Sequence, residues 1–104
     1  MQHELKIYPP YFQAVLDGDK TFEIRKDDRG FQKGDTVILK EYDIEHRGRY
    51  IPEEERYTGR EYCATIGYVT SFAQQPGYVV FSLKPLSSVI VVNVNPSTKE
   101  ITHE

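Results

Sequence analysis

From His3 to Tyr8 polar and apolar residues alternate, with Leu5 and Ile7 on one face, and this period of two predicts a first strand. Pro9 and Pro10 end it, because proline cannot donate to a sheet ladder, and Pro10 suits the first position of a helix. Phe12, Val15 and Leu16 then fall at i, i+3 and i+4, the apolar stripe of a helix of about two turns. Gly18 fits the left-handed position that closes such a helix. In an extended Thr21–Lys26, Phe22 and Ile24 face one way, while Thr21, Glu23 and Arg25 face the other.

Turn chemistry surrounds Phe31 between Asp27 and Gly34, which predicts that this ring plugs back into the core. In the next strand, Asp35–Asp43, Val37 and Leu39 share a face with Glu41, and Ile38 lies opposite, the pattern of a strand in a small barrel. The segment from Ile44 to Arg60 is long, charged and poor in apolar residues, as functional or mobile loops are. Two further strands follow, Glu61–Phe72 with Gly67 at a bulge, and Tyr78–Leu83 with Val79, Phe81 and Leu83 on one face. The fold class is therefore α+β and mainly β: a mixed, mostly antiparallel barrel of five to six strands with one or two short helices. We place one domain over residues 1–86 and an extension over 87–104. Its uncharged run, 88–94, predicts an extra strand that pairs within the barrel or across a homodimer.

Composition narrows the function classes. With 104 residues, 38% hydrophobic and 28% charged, the chain is an ordinary folded domain. No apolar run approaches a membrane span, and a lone cysteine, Cys63, fits a reducing, cytoplasmic setting. His3, His46, Cys63 and His103 show no metal-ligand spacing, so neither a metal nor another cofactor is expected. The net charge of −3 argues against strong nucleic-acid binding by the chain as a whole. Ten of the thirteen basic residues lie between Lys20 and Arg60, but ten acids share that window, so any basic face depends on folding.

Lys20, Glu23 and Arg25 form the first candidate site. A carboxylate held by Arg25 can accept from base amino groups or orient the lysine, although on spacing alone a structural ion pair at a strand start is the favoured reading. Arg29, Lys33, Arg47, Arg49 and Arg60 are candidate phosphate contacts. Among the eight tyrosines, Tyr42, Tyr50, Tyr57, Tyr62 and Tyr68 interleave with these charges, and a ring beside arginine can stack a base. For most of them we expect core roles, with one or two left for a ligand. The turn Tyr57-Thr58-Gly59-Arg60 presents Thr58 and Arg60, and Cys63 reads as an inert, buried thiol.

The signature Gly18-x-Lys20-x-x-Glu23-x-Arg25 resembles that of ASCH domains in the PUA-like superfamily. The stretches HELKIYPPYF, TFEIRKDDRGFQKGD, LKEYD, YTGR and GYVVFSL are closer still to a small ASCH-like family of bacteria and phages labelled RNA-binding-protein-like. The resemblance covers about Met1 to Leu86 and implies a barrel with a helix-capped cleft that binds RNA or a nucleotide-like ligand. Lys20, Glu23 and Arg25 carry over as its candidate contacts, and Arg29, Tyr42 and Arg60 join them as ligand or nucleic-acid contacts on their own charge and aromatic character. Some small ASCH relatives are amidohydrolases that deacetylate an acetylated cytidine nucleoside with a lysine, a threonine and a glutamate. Lys20 matches their lysine, but Glu23 stands where their threonine does, and no helical segment here supplies their glutamate. The enzyme reading, with Lys20 and Glu23 as its catalytic pair, is accordingly the alternative to a binding module.

Overall fold

The computed structural model describes residues 1–46 and 49–86. The expected strand 88–94, its proposed use in a homodimer, and Arg47 lie outside the described residues. Five strands form the main sheet: β1 (Gln2–Ile7), β2 (Phe22–Lys26), β3 (Thr36–Tyr42), β6 (Tyr57–Thr70) and β7 (Tyr78–Pro85), in the order β1-β3-β6-β7-β2. The β1–β3 pair is parallel and the other three pairs are antiparallel. A parallel pair needs a crossover. Here it is made by helix α1 (Pro9–Leu16) and by β2, which runs to the far edge of the sheet. The loop after β3 carries a two-stranded hairpin, β4 (Glu45–His46) with β5 (Arg49–Tyr50), and a 3-10 turn at Glu53–Glu55. No helix among the described residues is long and apolar enough to cross a membrane.

The sheet curls into a half-barrel with α1 over one end. Phe12 and Val15, two members of the expected stripe, point into the core, and Leu16 packs against it. The inward rows Val37–Leu39 and Val79–Phe81–Leu83 are buried as their alternation predicts. At the opposite end Phe31 plugs the core, its ring 4.7 Å from His3 and 5.0 Å from Phe81. His3 is buried beneath it, and a ring nitrogen lies 2.8 Å from the Asp35 carboxylate. Chiefly for that reason the Asp35 carboxyl sits below its ordinary pKa. The expected bulge is present, since β6 and β7 change register between Ile66 and Val69. Gly67 leaves no room for a side chain there: a Cβ would lie 2.5 Å from Ser82 Oγ.

The edge strands β1 and β2 share no hydrogen-bond ladder, and two arginines span the seam between them. Arg25 Nη2 donates to Lys6 O at 2.7 Å, and Arg29 Nη1 donates to Glu4 O at 2.9 Å. Each guanidinium caps an edge carbonyl that would otherwise lack a partner.

Two expectations need correction. Of the eight tyrosines only Tyr42 and Tyr62 are buried; Tyr8, Tyr11, Tyr50, Tyr57, Tyr68 and Tyr78 are exposed. The inward positions of so small a barrel are filled by aliphatic residues and phenylalanine, which have no hydroxyl to satisfy. On β2 the alternation holds, but hydropathy does not say which face is inside: Phe22 and Ile24 are exposed, whereas Glu23 is 3% exposed.

Candidate functional site: two cavities beside the capping helix

The first cavity is built outward from the C-terminus of α1. Gly18 takes the left-handed conformation, φ 81°, and the amides of Asp19 and Lys20 both reach back to Ala14 O at 3.0 Å. This closure fixes where Lys20 leaves the helix. One residue later Leu83 N donates to Thr21 O at 2.9 Å and the β2–β7 pairing begins. Because Glu23 pairs with inward-facing Phe81, it points inside, below Lys20.

There Lys20 Nζ donates to Glu23 Oε2 at 2.5 Å and to Phe22 O at 2.7 Å. Arg25 Nε donates to the other oxygen, Oε1, at 2.9 Å. Charge-assisted bonds of this kind are strong and directional. The Glu23 side chain is 4% exposed, against 19% for Lys20 and 25% for Arg25. Glu23 is therefore the anchor beneath the cleft, and the cations are what the cleft presents. Its volume is about 390 Å³, and Tyr8, Tyr11 and Phe22 are among its walls. Its lining carries three cations, Lys6, Lys20 and Arg25, against the single acid Glu23. Among the described residues no hydroxyl hydrogen-bonds to Lys20, and Thr21 is exposed.

Three other expected contacts stand elsewhere. Arg29 closes the seam at Glu4 and is within 3.7 Å of Asp28. Tyr42 is buried, and its hydroxyl donates to Glu53 Oε2 at 3.1 Å. Arg60 lies not beside Lys20 but in a second cavity of about 880 Å³, under the loop that follows β3.

In that second cavity Glu41 is the acid that β3 turns inward after Val37 and Leu39. Thr58 Oγ1 donates to Glu41 Oε1 at 2.7 Å and also accepts from the Arg60 amide at 3.2 Å. The Arg60 guanidinium lies over the Phe12 ring at 4.9 Å, with Nε 3.1 Å from Glu41 Oε1. That contact is too poorly aligned for a hydrogen bond, so Arg60 Nε is a buried donor without a partner among the described residues. Arg56 pins the loop above, donating to Ile51 O at 2.8 Å, to Tyr42 Oη at 3.2 Å, to Glu53 and to Tyr50 Oη. Four cations line this cavity, Lys40, Arg49, Arg56 and Arg60, and four acids, Glu41, Asp43, Glu55 and Glu61, balance them.

Thr58 and Arg60 were singled out on an expected turn, but Tyr57–Arg60 is instead the start of strand β6. Glu41 was not singled out, although an acid in phase with two inward aliphatics is the signal that marks it. Cys63 lines neither cavity. Burial, with Glu61 nearby, raises its thiol pKa and so disfavours the thiolate.

Residues 2–83 match the family described as a domain of unknown function, DUF3850. The chain belongs to this family. The matched span contains every residue lining either cavity. An uncharacterized 12.9 kDa protein in the GpA 3' region of Escherichia phage P2 is 38% identical over 71 residues, covering 68% of this chain and 56% of the relative. The chain thus matches little more than half the length of that relative.

Proposed function

We propose that this DUF3850 domain is a binding module for RNA, taking a nucleotide of a single strand into the cleft above Glu23. The observation that carries this reading is the state of Lys20. An ammonium has three donors; two are held by Glu23 and Phe22 O, which leaves one for a ligand in a cleft whose lining is cationic. Phosphate oxygens are the matching acceptors, and the exposed rings of Tyr8, Tyr11 and Phe22 offer stacking faces for a base. Since both Glu23 oxygens are already engaged, its role is to orient Lys20 and Arg25 rather than to read a base edge. Arg25 is divided between Glu23 and Lys6 O, and so couples the cleft to the seam. The likeness to the ASCH signature, Gly18 to Arg25, points the same way.

The chain's net charge of −3 makes the expected affinity modest and sensitive to salt. Fluorescence anisotropy with a 5′-labelled single-stranded RNA at low ionic strength tests the proposal. Binding that falls about tenfold in Lys20→Ala, equivalent to about 1.4 kcal/mol, supports it. Absence of binding at low ionic strength, or equal binding by the variant, refutes it.

A further inference from the structure

The two cavities are joined by a line of rings and cations. Tyr8, a wall of the Glu23 cleft, has its ring 6.5 Å from that of Tyr42. The Tyr42 ring is in turn 4.9 Å from that of Tyr57, a wall of the Glu41 cavity. Lys6 Nζ sits 4.5 Å over the Tyr42 ring and Lys40 Nζ 5.0 Å over the Tyr57 ring. Lys6 lines the first cavity and Lys40 the second.

The electrostatics of the two ends differ in a way that suits one ligand. Phosphates need excess positive charge, which the Glu23 cleft provides, with Lys6 carrying it toward the ridge; Lys40 beyond it is shared with Glu4 at 3.5 Å and Glu61 at 3.9 Å. Bases are neutral, and each presents hydrogen-bond donors and acceptors side by side along its edge. The Glu41 cavity is charge-balanced and offers the complement. Neither Glu41 Oε2, an acceptor, nor Arg60 Nη1, a donor, has a hydrogen-bond partner among the described residues. Tyr57, 44% exposed, supplies a ring face at the cavity wall.

We infer that the Glu41 cavity is a second nucleotide site, taking a base of the same RNA strand whose neighbouring nucleotide sits above Glu23. This rests on the RNA reading of the Glu23 cleft. The strand passes over the exposed rings of Tyr8 and Tyr57, which flank buried Tyr42, with its phosphates toward Lys6 and Lys40. Glu41 and Arg60 meet one base edge, and because every base offers both kinds of partner, recognition here tolerates sequence. Thr58 is a positioning residue that holds Glu41 by its hydroxyl.

Linked sites bind an oligomer more tightly than a monomer, because the second contact becomes intramolecular. Calorimetric titration of the full chain with uridine 5′-monophosphate and with tetrauridylate reads this directly. The tetranucleotide should bind at least about tenfold tighter than the mononucleotide. Glu41→Gln and Tyr57→Leu should remove most of that gain, whereas Lys20→Ala should weaken both ligands. Lys40→Ala, at a partly exposed position, keeps the test open if Glu41→Gln does not fold, and it should cost tetrauridylate severalfold. Mononucleotide binding that depends on Lys20, with no gain for the tetranucleotide, overturns the second site alone. So does a gain that survives Glu41→Gln, Tyr57→Leu and Lys40→Ala. If the mononucleotide fails to bind, or binds without regard to Lys20, the Glu23 cleft itself is refuted and the second site falls with it.

Discussion

Glu23 and Glu41 are both buried inward from the sheet near the capping helix, and they do opposite things with their charge. Glu23 is bonded through both oxygens to cations, so its charge is consumed in holding Lys20 and Arg25 in place. Glu41 is met by one hydroxyl and one misaligned guanidinium, and Oε2 has no partner among the described residues. A buried carboxylate saturated by cations organises a positive cleft. One that is only part-satisfied remains available to a ligand. The contrast is one of partners rather than depth, because the two side chains are 4% and 10% exposed.

The wall behind the second cavity gives the largest expected effect. Phe12 is fully buried and carries the Arg60 guanidinium on its ring. Phe12→Ala should cost about 3–5 kcal/mol in chemical denaturation. It should also loosen Arg60 while leaving the Lys20–Glu23 bond intact, and a loss below about 1 kcal/mol would show that α1 is not the cap described here. Next comes Glu23→Ala, which strands two cations. For partly exposed partners we expect about 2–3 kcal/mol, less than a fully buried pair would lose. Thr58→Val removes the hydroxyl that donates to Glu41 and accepts from the Arg60 amide, and should cost about 1–2 kcal/mol. If Thr58→Val proved the costlier of the two, the assignment of Glu23 as anchor and Glu41 as open would be reversed.

The smallest effect belongs to the far end and serves as a control. The folded-state pKa of Asp35 lies below its unfolded value, first because of His3 and then because of the N-terminal amine and the Gln32 amide. Its stabilisation is thus present above the ordinary carboxylate range and is lost as pH falls through the lowered value. Asp35→Asn should flatten the acid side of the stability–pH curve without changing binding at neutral pH.

The elements were largely legible because each carries a period. Phe12 and Val15 mark α1, Val79, Phe81 and Leu83 mark β7, and Phe31 is the single large apolar residue in its turn. The hairpin and 3-10 turn between β3 and β6 were read only as a loop. They are held by Arg56 reaching Ile51, Tyr42, Tyr50 and Glu53, and such side-chain fastening has no periodic trace. Lys20, Glu23 and Arg25 are close in sequence and were found together. Arg60 was grouped with them on charge alone, and the topology sends it to the other cavity. Arg25 and Arg29 were read as ligand contacts, yet both bond edge carbonyls, since only the folded sheet reveals that β1 and β2 leave a seam.

The most direct test of the central claim is the salt dependence of RNA binding, measured for the wild type and for Lys20→Ala. A single-strand phosphate contact contributes about 0.7 to the slope of log K against log salt. If Lys20 meets a phosphate, Lys20→Ala should lower that slope by about this amount while weakening binding at every salt concentration. An unchanged slope, with RNA still bound, would mean that the Glu23 cleft is not where the strand is held.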